Sequence, residues 1–158
     1  MAFKEAARYG GGTNVVAMGG IWDKTAEETD ASVIRLLTHV PSQYSIITSI
    51  VTNNEIDGAT DVDVGLAYSN DGPVIGKDLL RDGITLANAR SRNTSIFNRN
   101  IAFTQENFPP SLYDIYYESL SDKSTAKRYS SFDVVLTLNT GGTATGKVEY
   151  IFMFSTKG

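Results

Sequence analysis

Side chains that could carry out acid–base or nucleophilic chemistry are few in this chain of 158 residues. His39 is the only histidine, and it lies in an apolar segment just before Pro41. A Ser-His-Asp triad would need that histidine beside a serine and a carboxylate, and nothing nearby in the sequence marks such a site. The lack of cysteine excludes thiolate nucleophiles, thiolate metal sites and disulfides. We therefore expect no enzymatic activity, although the spacing of paired glycosidase carboxylates is not readable from sequence.

Acidic residues in the second quarter of the chain are the candidates for metal binding. Residues 53–64 begin like a calcium-binding loop, but the bidentate acid required at position twelve of such a loop falls on Val64. This excludes an EF-hand. Two alternatives stay open for Asp57, Asp61 and Asp63, namely a looser calcium site or a solvated acidic strand face. We predict no cofactor and no bound metal.

A glycine run near the N-terminus invites comparison with a phosphate-binding loop. Gly10-Gly11-Gly12 lacks the Gly-Lys-Ser/Thr sequence and the helix pattern that such a loop requires. We interpret residues 1–12 as a flexible arm that ends in a glycine hinge, and residues 13–158 as one domain.

Three arginines lie close together in a polar segment in the middle of the chain. Arg90, Arg92 and Arg99 could bind a carboxylate-rich partner surface or a phosphate, or they could belong to a solvated loop. With Phe3 and Arg8 in the arm, they are the predicted partner-contact residues.

Aromatic residues allow a different interaction. Tyr113, Tyr116, Tyr117 and Tyr129 could stack on sugars, or they could be core and interface residues. Trp22, the only tryptophan, is predicted to be a core or interface anchor.

Composition narrows the class of protein. The chain has 41% hydrophobic and 20% charged residues, as a globular domain does. A net charge of -4 argues against a nucleic-acid partner. No apolar run approaches the length of a membrane span, and the N-terminus lacks the apolar core of a signal peptide, so we expect no membrane partner.

Alternating apolar and polar residues predict the elements that would position these side chains. The predicted strands are 13–18, 32–40, 44–52, 61–68, 112–120, 132–139 and 147–156. Gly19-Gly20 is expected to end the first of them, and residues 73–107 to form a long excursion with little regular structure. Turn residues predict hairpins that join 44–52 to 61–68 and 132–139 to 147–156. The pattern indicates an all-β antiparallel sandwich, jelly-roll-like in its long connections.

Two runs of sequence carry a resemblance to a known group of proteins. The stretch that includes DVDVGLAYSNDG, and the closing FDVVLTLNTGGTATGKVEYIFMFST, resemble small virion structural proteins of tailed bacteriophages, of the capsid decoration or minor head type. The resemblance implies a non-enzymatic protein, made in the host cytoplasm, that binds the major capsid protein at the head surface of the virion. The alternative is a carbohydrate- or receptor-binding module of a phage tail or fibre.

Some strands carry apolar residues on both faces. Ile47, Val51, Ile151 and Met153 fall on the predicted second faces, which need a cover that one chain of this size does not supply. We therefore expect other copies of the chain as partners. Threefold positions of a capsid lattice, implied by the resemblance, favour a trimer held in part by the N-terminal arm.

Overall fold

A computed structural model describes residues 14–98 and 110–156, which form two antiparallel sheets of four strands each and one short α-helix. The strands and helices are β1 Val15–Lys24, β2 Val33–Pro41, β3 Ser45–Asn53, β4 Asp61–Tyr68, β5 Val74–Ile84, β6 Arg90–Thr94, α1 Leu112–Ser119, a 3-10 turn Lys123–Thr125, β7 Ser131–Thr140 and β8 Gly146–Ser155. Within these ranges, no helix has both the length and the apolar character that a membrane crossing needs. The predicted arm, residues 1–12, lies outside the described residues.

The strand order is that of a jelly roll. One sheet has the order β1-β8-β3-β6 and the other β2-β7-β4-β5. The first strand pairs with the eighth, the second with the seventh, the third with the sixth and the fourth with the fifth. This is one long hairpin rolled into two sheets, which is how a jelly roll is built. The predicted antiparallel β-sandwich is confirmed.

Both predicted hairpins are wrong in their pairing. β3 and β4 lie in opposite sheets, as do β7 and β8, so the turns between them carry the chain across the sandwich. The turn glycines Gly58 and Gly142 both have positive φ angles. A Cβ atom placed on Gly58 would lie 3.2 Å from the Cα of Gly142, so the two crossings meet at one end of the sandwich. The turn residues therefore indicate where the chain reverses direction, but they do not indicate which strands pair.

The core lies between the two sheets and takes one face of every long strand. In β4, β7 and β8 the inward positions are those that the alternation predicts. They are Val62, Val64, Leu66, Phe132, Val134, Leu136, Leu138, Val148, Tyr150, Phe152 and Phe154, all buried. Trp22 is also buried, as expected for a core anchor, and its Nε1 donates to Glu28.

Two strands differ from their predicted form because of local backbone geometry. β1 continues through Gly19-Gly20, and a Cβ atom on Gly19 would collide with the carbonyl oxygen of Tyr150 at 2.2 Å. Glycine there lets β1 approach β8 closely, and it does not end the strand. In β3 a register shift between Ile46 and Thr48 reverses the alternation, so Val51 is buried and the outer face is shifted by one residue.

Residues 112–120, predicted as a strand, form helix α1 instead. Ser111 caps the helix, since its hydroxyl accepts from the Asp114 N–H while the Asp114 carboxylate accepts from the Ser111 N–H. This reciprocal pair satisfies two backbone N–H groups at the start of the helix, which have no carbonyl partner within the helix. Leu112 and Tyr116, four residues apart, are the buried positions of the helix.

The mid-chain excursion contains more regular structure than expected, because both β5 and β6 lie inside it. β5 is irregular, with Val64 opposite Arg81 but Leu66 opposite Gly76, so several of its residues bulge between these pairs. A Cβ atom on Gly65 would lie 1.9 Å from the carbonyl oxygen of Gly76, so the bulge depends on glycine at that position.

Candidate interaction surface

The outer surface of the β1-β8-β3-β6 sheet is apolar at its centre. Register places Ala17 beside Met153 and Ile151 between Gly19 and Ile50. We call this surface the apolar face; it consists of Val15, Ala17, Ile21, Ile50, Ile151 and Met153.

Large side chains of the apolar face are open to solvent. Val15 is 54% exposed, Ile21 56% and Ile151 43%. Scattered exposed apolar residues are ordinary on a protein surface, whereas apolar residues gathered on one sheet face form a patch that can serve as an interaction site. Ile47, Ile151 and Met153 were predicted for exposed second faces, and Ile47 is 38% exposed at the register shift of β3. Val51 was predicted there wrongly, and Val15 and Ile21 were missed.

Of the predicted contact residues, the structure brings Arg90 and Arg92 together on β6, the edge strand next to β3. Arg90 is half-buried and donates to Asn53 Oδ1 at 3.4 Å, and its burial lowers the pKa of the guanidinium. Arg92 is exposed, and its backbone N–H donates to Thr52 Oγ1. The edge of the apolar sheet therefore carries two positive charges.

The other three predicted contact residues, Phe3, Arg8 and Arg99, lie outside the described residues.

His39, on β2 just before Pro41, is exposed and lies next to the turn that follows β4. Its ring Nε2 lies 2.9 Å from the Asn70 side-chain oxygen, and its backbone N–H donates to Asp133.

The three aspartates of the open calcium alternative are separated by the fold. Asp57 lies in the crossing between β3 and β4, whereas Asp61 and Asp63 lie on β4 and both accept from Asn139 Nδ2, at 3.4 and 2.7 Å. Across the parts of the chain that the structure describes, no group of three or more histidine, aspartate or glutamate side chains could hold a metal ion.

The tyrosines predicted as a possible sugar platform pack mainly against one another. Tyr116 is 1% exposed, and its ring contacts those of Tyr68, Tyr113, Tyr129 and Phe132. These rings close one end of the sandwich, so Tyr116 belongs to the core and is not available for stacking on a ligand.

Comparison with known proteins gives a likeness of fold. No protein-family model matches the chain, and no curated protein sequence matches it. Among solved structures, a chain of the "Cyanophage Pam1 capsid asymmetric unit" has a similar fold, with a TM-score of 0.55 and 11% sequence identity. The alignment covers 90% of this chain and 85% of that chain. At such low identity the likeness establishes a shared fold.

Proposed function

We propose that the protein is a non-enzymatic structural component of a phage virion, and that it binds capsid proteins through its apolar face. The observation that supports this most strongly is a jelly roll that matches a phage capsid chain over nearly its whole length. The sequence resemblance to virion proteins in the runs around β4 and β7–β8 points in the same direction.

The apolar face suits such a role because it lies on a rigid sheet and not on loops. Its backbone is already ordered by strand pairing, so binding needs no loop ordering, and its β-branched side chains have little rotamer freedom to lose. Apolar anchors surrounded by polar residues are the usual centre of a protein interface. Here Glu149 and Lys147 on β8 and Thr52 on β3 border the isoleucines.

The proposal also covers where in the virion the protein lies and how many copies assemble. We infer that the protein sits on the head surface, decorates or cements the capsid by contact with the major capsid protein, and acts as a trimer. Three weak sites that bind together would raise the apparent affinity about a hundredfold or more, if the lattice allows simultaneous contact. The arm at residues 1–12 and the arginines of β6 would add contacts at the edges.

Co-sedimentation with capsids that lack the protein tests the proposal. Wild-type protein should pellet with the particles, and Ile151→Lys should weaken binding at least tenfold, because it places a charge in the apolar face. Val33→Lys is the matched control, since Val33 is also 43% exposed but lies on the other sheet. Absence of the wild-type protein from both the pellet and the native particle would refute the proposal.

Assembly needs a separate experiment. Sedimentation velocity of the intact chain and of a variant without residues 1–12 should show a trimer that the truncation weakens, with an unchanged β-sheet circular-dichroism spectrum. A monomer at high micromolar concentration would refute the trimer in free solution.

Carbohydrate binding gains no support from the tyrosines that the structure describes. Tyr117 is the most exposed of the predicted set at 36%, and Lys123 Nζ already lies 5.4 Å from the centre of its ring. We therefore do not advance it as a second function.

A further inference from the structure

A groove crosses the outer surface of the second sheet, opposite the apolar face. Its walls come from the loop before β2, from β4, from the bulged part of β5 and from β7. The residues that line it are Asp30, Ala31, Asp61, Asp63, Lys77, Asp78, Asp82, Thr137 and Asn139. We call it the acidic groove, because five aspartates and one lysine line it.

Within the described residues, Lys77 contacts the negative charge of the acidic groove at Asp63. Lys77 Nζ lies 3.8 Å from Asp63 Oδ2 and donates to Asn139 Oδ1 at 2.7 Å. The pKa of Asp82 is nevertheless raised above its usual value, mainly because the charge of Asp63 repels a second charge nearby. Desolvation, Asp78 and Asp61 contribute less to this shift. A further positive charge would relieve this repulsion.

Independent of this charge, the acidic groove holds a buried hydroxyl without a partner. Thr137 is 8% exposed, lines the groove and lies opposite Asp63 in the register of β4 and β7. Its Oγ1 is buried and has no hydrogen-bond partner among the described residues. Buried hydroxyls are almost always hydrogen-bonded, so this one, which can donate or accept, marks a place in the groove where a polar ligand group can bind.

A cationic side chain fits these groups better than a metal ion does. Asp63 already accepts from the Gly83 N–H through Oδ1 and from Asn139 through Oδ2, and Lys77 stands beside it. A divalent ion needs several free oxygens converging on one point. An ammonium or guanidinium group instead brings several N–H donors, which can reach carboxylates and a hydroxyl that are spread along a groove.

We propose that the acidic groove binds a lysine or arginine side chain of a protein partner, with Asp61 and Asp82 as its carboxylate contacts and Thr137 as acceptor at its floor. The proposal does not depend on the virion role, because it rests on a different sheet and on different residues. It gives the sandwich two interfaces of opposite character, an apolar one and an acidic one.

Calorimetric titration with a hexalysine peptide in low salt tests this proposal. We expect saturable binding by the wild type, weakened at least tenfold in Asp61→Asn/Asp82→Asn. Both side chains are exposed and both substitutions keep their shape, so the fold should survive, which circular dichroism can verify. The control Asp57→Asn/Glu149→Gln removes the same charge away from the groove and should change the affinity less than twofold. Equal weakening in the two pairs would overturn the proposal, since it would reflect net charge alone.

Two further measurements test whether the peptide binds in the acidic groove itself. Thr137→Val should weaken hexalysine binding severalfold, because it removes the acceptor while preserving the shape of the side chain. Unchanged affinity in Thr137→Val would overturn the proposed contact between the Thr137 hydroxyl and the bound peptide. Stoichiometric binding of Ca²⁺ that displaces the peptide would overturn the proposal in favour of a metal site.

Discussion

The guanidinium of Arg35 on β2 donates to the buried carboxylate of Asp133 on β7 at 2.6 Å. The same carboxylate accepts from the His39 N–H at 2.9 Å and from the Ser69 hydroxyl at 3.0 Å. Arg35 also donates to the Tyr68 carbonyl, so this pair links the irregular part of β2 to the turn that follows β4. Asp133 therefore organises the end of the sheet opposite the acidic groove.

Asp133→Ala should lower the free energy of unfolding by about 3 kcal/mol, because it removes the buried anionic partner of the Arg35 guanidinium and leaves the His39 N–H without its acceptor. Asp133→Asn should cost less, since its amide oxygen can still accept one of these donors. Urea unfolding monitored by tryptophan fluorescence measures both values. A loss below about 0.5 kcal/mol in Asp133→Ala would show that the pair contributes little, as exposed pairs do.

The phenol of Tyr150 joins the two sheets, because its hydroxyl on β8 donates to the Leu36 carbonyl on β2 at 2.6 Å. Tyr150→Phe should reduce stability by about 1–2 kcal/mol, since a buried carbonyl loses its donor. Chemical denaturation at pH 7 measures this difference. An unchanged unfolding midpoint would mean that Leu36 finds another donor.

Stability should also respond to alkaline pH through Tyr150. Burial raises the pKa of this phenol, so the folded state holds the proton more tightly than the unfolded chain does. The resulting stability is fully present below the unfolded value of about 10 and is lost as the pH rises through the folded pKa. Between pH 8 and pH 11 the wild type should therefore lose more stability than Tyr150→Phe. Parallel curves for the two proteins would contradict the shift, because the other tyrosines are common to both.

Gly65 allows the bulge of β5 to lie against β4. An added Cβ atom would meet backbone atoms, at 1.9 Å from the Gly76 oxygen and 2.6 Å from the Lys77 carbonyl carbon. Gly65→Ala should cost at least about 2 kcal/mol, because backbone cannot move aside as a side chain can. Gly83→Ala is the control: nothing lies within 4 Å of its added Cβ, and only its positive φ of 69° is unfavourable. Equal losses of stability in the two variants would show that β5 can move away from the added Cβ atom at little cost.

The contribution of the α1 capping box to stability should be measurable with substitutions of Ser111. Ser111→Ala removes the acceptor for the Asp114 N–H and should cost about 1 kcal/mol, whereas Ser111→Thr keeps a hydroxyl and should cost much less. Thermal unfolding followed by circular dichroism compares them. Similar losses in both would assign the effect to packing of residue 111 and not to the cap.

Sequence alternation was sufficient to identify the inner faces of β4, β7 and β8, because a shared core imposes the period of two on each strand. It was not sufficient to pair the strands. Partners in a jelly roll are far apart in sequence, and turn residues such as Asp57-Gly58 specify only that the chain reverses. The bulge after Ile46 was also missed, since an inserted residue leaves no mark on composition.

Helix α1 carried a signal that could have been used. Ser111 and Asp114 have the spacing of a capping box, and Leu112 and Tyr116 the spacing of a buried helical pair. The apolar face was found only in part, because Gly19-Gly20 concealed that Val15 and Ile21 share one strand. The acidic groove was not predicted, since its residues come from four separate segments that only the fold brings together.

The pairing of β1 with β8 has a consequence for how the protein is made. β8 lies between β1 and β3, so these two strands have no hydrogen-bonding neighbour between them until the last strand has been synthesised. Until then the nascent chain exposes the edges of both strands that β8 later covers. Its contacts are long-range, so closure is slow compared with that of a helical protein. The sandwich therefore cannot close before β8 has been made, and we expect a chain interrupted before Gly146 to aggregate or be degraded and not to form a shorter version of the same domain.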